Sequence, residues 1–301
     1  MTTILQDKRK NPSNKQKIKV EKGSIPGNPH DSLFKQFVDK EEYAINFLNE
    51  LLPNNVKKII DLSTIKIENT EFISSKLNKR IADCLYLIKS KDKATNFLIH
   101  IEHQSGFDKN IDKRVSDYSN AITQKYSKKL KDIIVINMVV YNQKPSQKIP
   151  SFFDDSNYPE IKKQYYNKPI NIFLDEISQE KLQSLGISGA SLYLLAQKKD
   201  SKFINKVEKF FDYFHQAIND DFKHGNLYNE SLFNYISYYI DENDHDKVNQ
   251  ILSERFENNQ LEVLMRSIAE ANYEKGKNAG IYEGIEKGVE KTAVNMLKTK
   301  K

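Results

Sequence analysis

Three apolar runs in the middle of the chain constrain the fold more than any other feature of the sequence. They cover residues 80–89, 96–104 and 133–141, and their length and branched aliphatic side chains predict β-strands. A short polar turn at 91–93 joins the first two runs, which predicts a hairpin. Apolar residues at helical spacing over 111–126 separate the second run from the third. This order of elements is typical of a layered α/β domain.

The flanking segments extend this prediction. Helical spacing covers 31–52, an isoleucine-rich strand covers 59–67, and a short strand is expected at 170–174. Beyond 176 the pattern is helical, over 182–195, 203–218, 232–240 and 248–268. We therefore predict a basic arm at 1–27, an α/β core at 28–175, a helical region at 176–270 and a glycine-punctuated helical or flexible tail at 271–301. The tail glycines, spaced by four, are Gly276, Gly280, Gly284 and Gly288.

Composition narrows the class of protein. Hydrophobic residues make up 38% of the 301, which is enough for a buried core. No apolar stretch approaches the roughly 18–20 residues that span a bilayer, so no membrane segment is expected. The charged start of the chain lacks the apolar run of a signal peptide. Cys84 is the only cysteine, which excludes an intrachain disulfide and favours a cytoplasmic location.

Cys84 itself has two interpretations. A lone cysteine in a chain with several histidines could be a thiol nucleophile. Its place within an apolar strand favours a small buried hydrophobic residue, which is the interpretation we adopt.

The basic residues are concentrated at the start of the chain. The net charge is +6, and residues 1–22 hold seven lysines and arginines against two acidic residues. This segment has few apolar residues and no periodicity, so a disordered arm is expected. It could bind nucleic-acid phosphates through counterion release. A solvated tail explains the composition equally well.

Three polar residues stand where the strands should be apolar. Asp83 interrupts the first run, and Glu102 and Gln104 end the second. A buried carboxylate costs several kcal/mol unless it is paired or binds a metal. Because side chains alternate along a strand, Glu102 and Gln104 should share a face and His103 the other.

These oxygen donors suit a hard cation, and Mg²⁺ usually keeps several waters beside few protein ligands. Water on such an ion can attack a phosphodiester. The spacing therefore indicates a metal site for Mg²⁺, or for Ca²⁺ or Mn²⁺. The alternative is that these are solvated carboxylates near strand ends.

Several motifs occur in order along the chain. They are Asn28-Pro29-His30-Asp31-Ser32-Leu33-Phe34-Lys35-Gln36-Phe37, Phe47-Leu48 with Leu51-Leu52-Pro53, Ala82-Asp83-Cys84-Leu85-Tyr86, Ile101-Glu102-His103-Gln104-Ser105, Arg114 with Tyr118, and Val139-Val140-Tyr141. Together they resemble the recombination-promoting nuclease/transposase family of the PD-(D/E)XK nuclease superfamily, closely over 28–175 and more loosely beyond. One departure is Asn142, where the family usually has glycine; we expect it to affect a turn and leave the metal site untouched.

The resemblance implies a PD-(D/E)XK-type core, a central mixed sheet flanked by helices. It also implies that Asp83 and Glu102 bind the metal, and that Gln104 takes the position of a lysine found in many relatives. Glutamine can orient water but brings no positive charge. Lys35 and Arg114 are candidates to supply that charge.

Five other residues have structural or functional roles to assign. His103 is expected to be structural. Asp31 is either the N-cap of the first helix or, with His30, part of the edge of the site. Arg114 and Tyr118, one helical turn apart, either face a phosphate backbone or bond across their helix.

The predicted function is a metal-dependent DNA endonuclease linked to recombination or mobile elements. The alternative is a non-catalytic nucleic-acid-binding or assembly protein on a degenerate nuclease fold, in which Asp83 and Glu102 are relics. A ribonuclease is a weaker third interpretation, without an RNA-recognition motif to support it. DNA is the expected partner, and the C-terminal region is a candidate surface for a homo-oligomer.

Overall fold

The computed structural model describes residues 29–68, 70–73, 79–81, 83–149, 168–225 and 228–266, with individual residues between 268 and 287. The predicted basic arm at 1–27 and Gly288 of the tail lie outside the described residues.

The central element is a five-stranded mixed sheet with the strand order β1-β4-β5-β6-β7. The first three strands in this order pair antiparallel, whereas β5, β6 and β7 are parallel. A separate two-stranded ribbon pairs β2 with β3. The strands are β1 (Ile60–Ile67), β2 (Glu71–Ile73), β3 (Lys79–Ile81), β4 (Cys84–Ser90), β5 (Asn96–Gln104), β6 (Ile133–Tyr141) and β7 (Ile170–Phe173).

Helices cover both faces of this sheet. The N-terminal helices are α1 (Pro29–Val38), α2 (Glu41–Leu51) and α3 (Asn54–Lys57), and α4 (Ile111–Tyr126) connects β5 to β6. The C-terminal helices are α5 (Gln179–Ser184), α6 (Gly186–Ala196), α7 (Phe203–Lys223), α8 (Asn229–Tyr239) and α9 (His245–Ser253), followed by helical residues at 258–266. Single 3₁₀ turns form at Leu174–Glu176 and Glu242–Asp244.

The alternation of side chains on β5 divides the core between the two faces. Ile99 and Ile101 belong to a large buried cluster that includes α1, α2 and the C-terminal helices. Leu98 points the other way and packs with Tyr118 and Ile122 of α4. Seven of the nine residues of β5 are buried, as expected for a central strand with helices on both sides.

The strand expected over 80–89 is wrong in one respect. It is divided between β3 and β4, and Asp83 lies in a bend immediately before β4. Asp83 therefore does not interrupt a strand. At this bend its carboxylate can accept a hydrogen bond from the neighbouring strand.

The helix expected over 182–195 is also divided, because Gly186 at the start of α6 adopts a positive φ of 60°. This conformation suits glycine, which lacks the steric clash of a Cβ atom. The segment expected over 248–268 contains α9 and then a second helical stretch at 258–266, with a non-helical break between them.

The predicted α/β class, a central mixed sheet flanked by helices, is confirmed and is consistent with a PD-(D/E)XK-type core. The division at 175/176 stays a prediction, although helices on both sides of it share one buried cluster. Among the described residues, no helix has the length and apolar character needed to cross a membrane.

Candidate active site

Asp83 lies in the bend before β4, next to the end of β5, which is the strand that carries Glu102. The last pair in the β4–β5 ladder is Cys84 with Ile101, so continuation of the register would place Asp83 beside Glu102. Asp83 Oδ2 accepts a 2.8 Å hydrogen bond from the peptide N–H of His103. Its other oxygen, Oδ1, lies 3.3 Å from Lys35 Nζ on α1. Asp83 is thus connected to β5 through the backbone and to α1 through a cation.

Glu102 is almost fully buried, with 4% of its surface exposed. Its Oε1 accepts a 3.1 Å hydrogen bond from His100 Nε2, two residues earlier on the same face of β5. Its Oε2 lies 3.5 Å from Arg114 Nε on α4. The burial of this carboxylate is therefore compensated by one imidazole and one guanidinium.

His100 belongs to a polar network that the sequence analysis missed. His100 and Asn137 are ladder partners on β5 and β6, and His100 Nδ1 lies 3.1 Å from Asn137 Oδ1. Ser119 Oγ of α4 donates to the same oxygen at 3.0 Å. The available signal was a histidine and an asparagine inside two apolar runs, each a buried polar group that needs partners.

Arg114 joins Glu102 to a further carboxylate, because its Nη1 donates to Asp108 Oδ2 at 2.7 Å. The distance between Arg114 Nε and Glu102 Oε2 is that of an ion pair. Within the described part of the chain, Arg114 Nε has no hydrogen-bond partner. The buried hydroxyl of Tyr141, which pairs with Gln104 in the ladder, is likewise unsatisfied. Burial, with the nearby Asp112 and Asp108 charges, raises the pKa of Tyr141 to about 12.

Gln104 ends β5, where its Nε2 donates a 2.8 Å hydrogen bond to the carbonyl of His103. The amide oxygen of Gln104 remains an acceptor. Tyr118, by contrast, is buried beneath the sheet, with its ring centroid 5.0 Å from that of His100. The motif Arg114–Tyr118 therefore places the arginine at the carboxylates and the tyrosine in the core.

His103 projects to the opposite face from Glu102, as predicted, and its ring is fixed on three sides. Its Nδ1–H donates to Asp31 Oδ1 at 3.0 Å, and its Nε2 lies 2.7 Å from Asn142 Oδ1. Its ring stacks on Phe34 with centroids 4.6 Å apart and planes 10° apart. Burial opposes ionisation of Asp31, but the hydrogen bond and charge of His103 outweigh it and lower the pKa of this carboxyl.

The expected N-cap role of Asp31 is wrong. Helix α1 begins at Pro29, a residue that suits the first helical position, so Asp31 lies in the first turn and its carboxylate is directed at His103. Its neighbour His30 contacts the C-terminal helices, with Nδ1 2.8 Å from the Tyr235 hydroxyl and Nε2 3.0 Å from that of Tyr239. Burial, followed by the charges of Lys199 and His103, lowers the pKa of His30 to about 4.

The burial of Cys84 excludes the alternative in which its thiol is a nucleophile. Cys84 has no exposed surface and its sulfur lies 3.7 Å from the carbonyl of Val38. Burial raises the pKa of Cys84 to about 12, which keeps it a neutral thiol at physiological pH.

The carboxylates of Asp83 and Glu102 are the protein donors that this site offers a metal ion, and the Gln104 amide lies beside them. Among the described residues, no three His, Cys, Asp or Glu side chains are grouped so that they could hold one. The two carboxylates still fit Mg²⁺, which is commonly bound by one or two carboxylates and completes its shell with water. Softer ions that prefer histidine or cysteine fit this pair poorly.

Comparison with known proteins identifies the family. A family model described as "Putative transposase, YhgA-like" matches residues 28–226, which is more than half of the chain. The chain belongs to the YhgA-like transposase family. The match contains every residue that the sequence analysis proposed for the site, whereas Tyr235 and Tyr239 lie beyond it.

Curated relatives of this YhgA-like chain include nucleases and a protein named as inactive. The inactive recombination-promoting nuclease-like protein RpnE of Escherichia coli (strain K12) is 28% identical over 287 residues, which cover 91% of each chain. The recombination-promoting nuclease RpnC of the same strain is 30% identical over 163 residues, covering 51% of this chain and 54% of its own length. RpnA, also a recombination-promoting nuclease of that strain, is 34% identical over 98 residues, about a third of each chain. No solved structure matches.

Proposed function

We propose that this protein is a divalent-metal-dependent endonuclease that hydrolyses phosphodiester bonds in DNA. The observation that carries the proposal is the pairing of two carboxylates at neighbouring strand ends with two cations that reach solvent. The side chain of Lys35 is 39% exposed beside Asp83, and that of Arg114 is 36% exposed beside Glu102. Carboxylates that can bind a metal therefore lie next to cations that can contact a phosphate. The names of the relatives RpnC and RpnA support nuclease chemistry linked to recombination.

In this proposal Asp83 and Glu102 hold the metal. A divalent cation bound there would lower the pKa of its water and polarise the phosphodiester. Gln104 accepts a hydrogen bond from the attacking water through the amide oxygen that its contact with His103 leaves available. Lys35 and Arg114 bind the phosphate oxygens and offset their charge, which compensates for the absence of a lysine at position 104.

A second candidate is a DNA-binding protein without catalytic activity. The name of RpnE supports it, since that relative is called inactive and aligns with 91% of this chain. In that case the cations would remain useful for binding DNA, and Asp83 and Glu102 would serve only to hold them in place.

A cleavage assay separates the two candidates. The purified full chain is incubated with supercoiled plasmid in Mg²⁺, Mn²⁺, Ca²⁺ or EDTA, beside the double variant Asp83→Asn/Glu102→Gln. Asp61→Asn is a matched control, because Asp61 pairs with Lys89 at the far end of β4. The proposal predicts nicking by the wild type and the control in Mg²⁺ or Mn²⁺, and none by the double variant.

Two results would contradict the proposal. Plasmid that stays intact in every metal while a gel shift shows DNA binding would support the non-catalytic candidate. Cleavage of RNA without cleavage of DNA would instead identify a ribonuclease.

A further inference from the structure

Asn142 occupies a bridging position at the end of β6. Its peptide N–H donates to the Gln104 carbonyl at 3.0 Å, which extends the β5–β6 ladder by one residue. Its side chain is buried, with 4% of the residue exposed, and faces two imidazoles. Oδ1 lies 2.7 Å from His103 Nε2, and Nδ2 lies 3.2 Å from His30 Nδ1. One amide therefore connects two histidines that are 73 positions apart in the chain.

The His103 end of this bridge leads directly to the candidate active site. The peptide N–H of His103 donates to Asp83, and its carbonyl accepts from the side chain of Gln104. The orientation of this one residue therefore influences both side chains. Its ring is held by Asp31 on one nitrogen and by Asn142 on the other.

The His30 end leads to the C-terminal helices. His30 contacts the hydroxyls of Tyr235 and Tyr239 on α8. Both tyrosine rings also surround Lys199, whose Nζ lies 5.1 and 5.6 Å from their centroids. The same ammonium donates to the carbonyls of Leu194 and Gln197, each at 2.6 Å, at the end of α6. His30 is thus held by residues of the C-terminal helices.

We infer that Asn142 is a positioning residue for the active site, carrying the placement of His30 to His103 and so setting the orientation of Asp83 and Gln104. The inference depends on the proposed nuclease function for its effect on catalysis. From the sequence, Asn142 is expected to affect a turn and leave the metal site untouched; the structure adds its side-chain contacts with both imidazoles. Glycine at this position would supply the ladder N–H but neither side-chain bond.

The size of the effect follows from the chemistry of such supporting groups. Removing a residue that orients a metal ligand typically reduces activity or metal affinity by 10–100-fold. Here the effect passes through the backbone of His103, so we expect a fall in kcat of about tenfold with little change in KM for DNA. A residue that only stabilised the fold would lower the amount of folded protein without this division between kcat and KM.

The test compares Asn142→Ala with Gln143→Ala in the full-length protein. Gln143 is the neighbouring residue, and its side-chain amide donates to the Ala196 carbonyl at 3.3 Å, away from both histidines. Plasmid cleavage gives kcat and KM, and amide hydrogen exchange of the His103 peptide N–H reports its bond to Asp83 without requiring activity. In Asn142→Ala we expect the His103 peptide N–H to exchange at least about tenfold faster than in the wild type, together with the lower kcat. Gln143→Ala should change neither quantity.

A second pair of variants covers the case in which Asn142→Ala does not fold. Tyr235→Phe/Tyr239→Phe removes the two hydroxyls from His30, and Tyr238→Phe removes an exposed hydroxyl from the same helix. The double variant should accelerate exchange at His103, and the control should not.

Unchanged exchange at His103 in both Asn142→Ala and the tyrosine double variant would overturn the inference, as would faster exchange in Asn142→Ala with wild-type kcat. If the wild type does not cleave DNA but exchange at His103 still depends on Asn142, the proposed function fails while the structural coupling stands.

Discussion

Glu102 is held by side chains of the sheet and α4, whereas Asp83 is held by a peptide N–H and a lysine from α1. One partner of Glu102, His100, is itself buried, and it contacts Asn137, which in turn accepts a hydrogen bond from Ser119. The N–H that holds Asp83 belongs to His103, whose ring depends on residues from α1 and from the end of β6. The two carboxylates thus have separate supports on opposite faces of one sheet.

This difference predicts different consequences of mutation. Around Glu102, a lost partner leaves buried polar atoms unsatisfied, so stability should suffer first. Around Asp83, the carboxylate keeps access to solvent, so a lost partner should change its orientation more than the stability of the fold.

The largest effect is expected at Gln104, which shares a strand face with Glu102 and bonds to the carbonyl of His103. Gln104→Ala removes the water-orienting amide and should reduce kcat by about 10²–10⁴-fold, the usual contribution of a positioned group of this kind. Mn²⁺ affinity, measured by calorimetry, should stay within about twofold of wild type because both carboxylates remain. Cleavage at the wild-type rate in saturating metal would show that Gln104 has no role in orienting water.

The next effect is a difference in stability between the two histidines of β5. His100→Ala leaves Glu102 and Asn137 without a buried partner and should lower the free energy of unfolding by about 3–5 kcal/mol. His103→Ala should cost less, about 1–3 kcal/mol, because of its two hydrogen-bonding partners only Asn142 is buried, whereas the Asp31 side chain is 41% exposed and can be solvated. Urea denaturation compares them, and equal losses would remove the proposed asymmetry.

Lowering the pH should destabilise the support of Asp83 because His30 becomes protonated more readily in the unfolded chain. The pKa of His30 falls from 6.5 to about 4 on folding, so between these values the unfolded chain binds a proton that the folded chain does not. The ionisation of His30 therefore adds no pH dependence to stability above pH 6.5, and it destabilises the fold progressively as pH falls from 6.5 to 4. The groups around it are Asp31, His103, Lys199, Tyr235 and Tyr239.

The measurement is the urea midpoint of wild type minus that of His30→Gln, followed across this pH range. The difference should shift against the wild type as pH falls from 6.5 to 4, and a difference independent of pH would contradict the role given to His30.

The smallest effect is expected at the two cations. Lys35→Gln breaks a partly exposed ion pair and should lower the free energy of unfolding by at most about 1 kcal/mol. Arg114→Gln should cost more, about 1–3 kcal/mol, because Glu102 is buried. Denaturation curves in low salt compare the two variants, and a larger loss for Lys35→Gln would reverse the order.

Much of the fold was predictable because local patterns are strong in the central layer. The bounds expected for β5, α4 and β6 agree with the structure, since each element has an apolar stripe of one period and a polar boundary. The bend at Asp83 was not predictable, because the apolar residues on both sides of it continue the pattern of a strand.

The site divides in a similar way. Asp83, Glu102 and Gln104 stood out as polar residues in apolar surroundings, and their catalytic roles stay a prediction. The contacts of Asn142 with His30 and of His30 with Tyr235 join positions 112 and 205 residues apart. Such pairs have no local signature, since only the packing of α1 against β6 and α8 brings them together.

Calorimetric titration of the full chain with Mn²⁺ shows whether Asp83 and Glu102 together bind one divalent cation. Wild type, Asp83→Asn, Glu102→Gln and the distant control Asp61→Asn are compared at one pH and ionic strength, with circular dichroism to verify folding. We expect one site in the wild type and the control, and its loss in each of the other two variants. Equal Mn²⁺ binding by all four proteins would contradict this expectation.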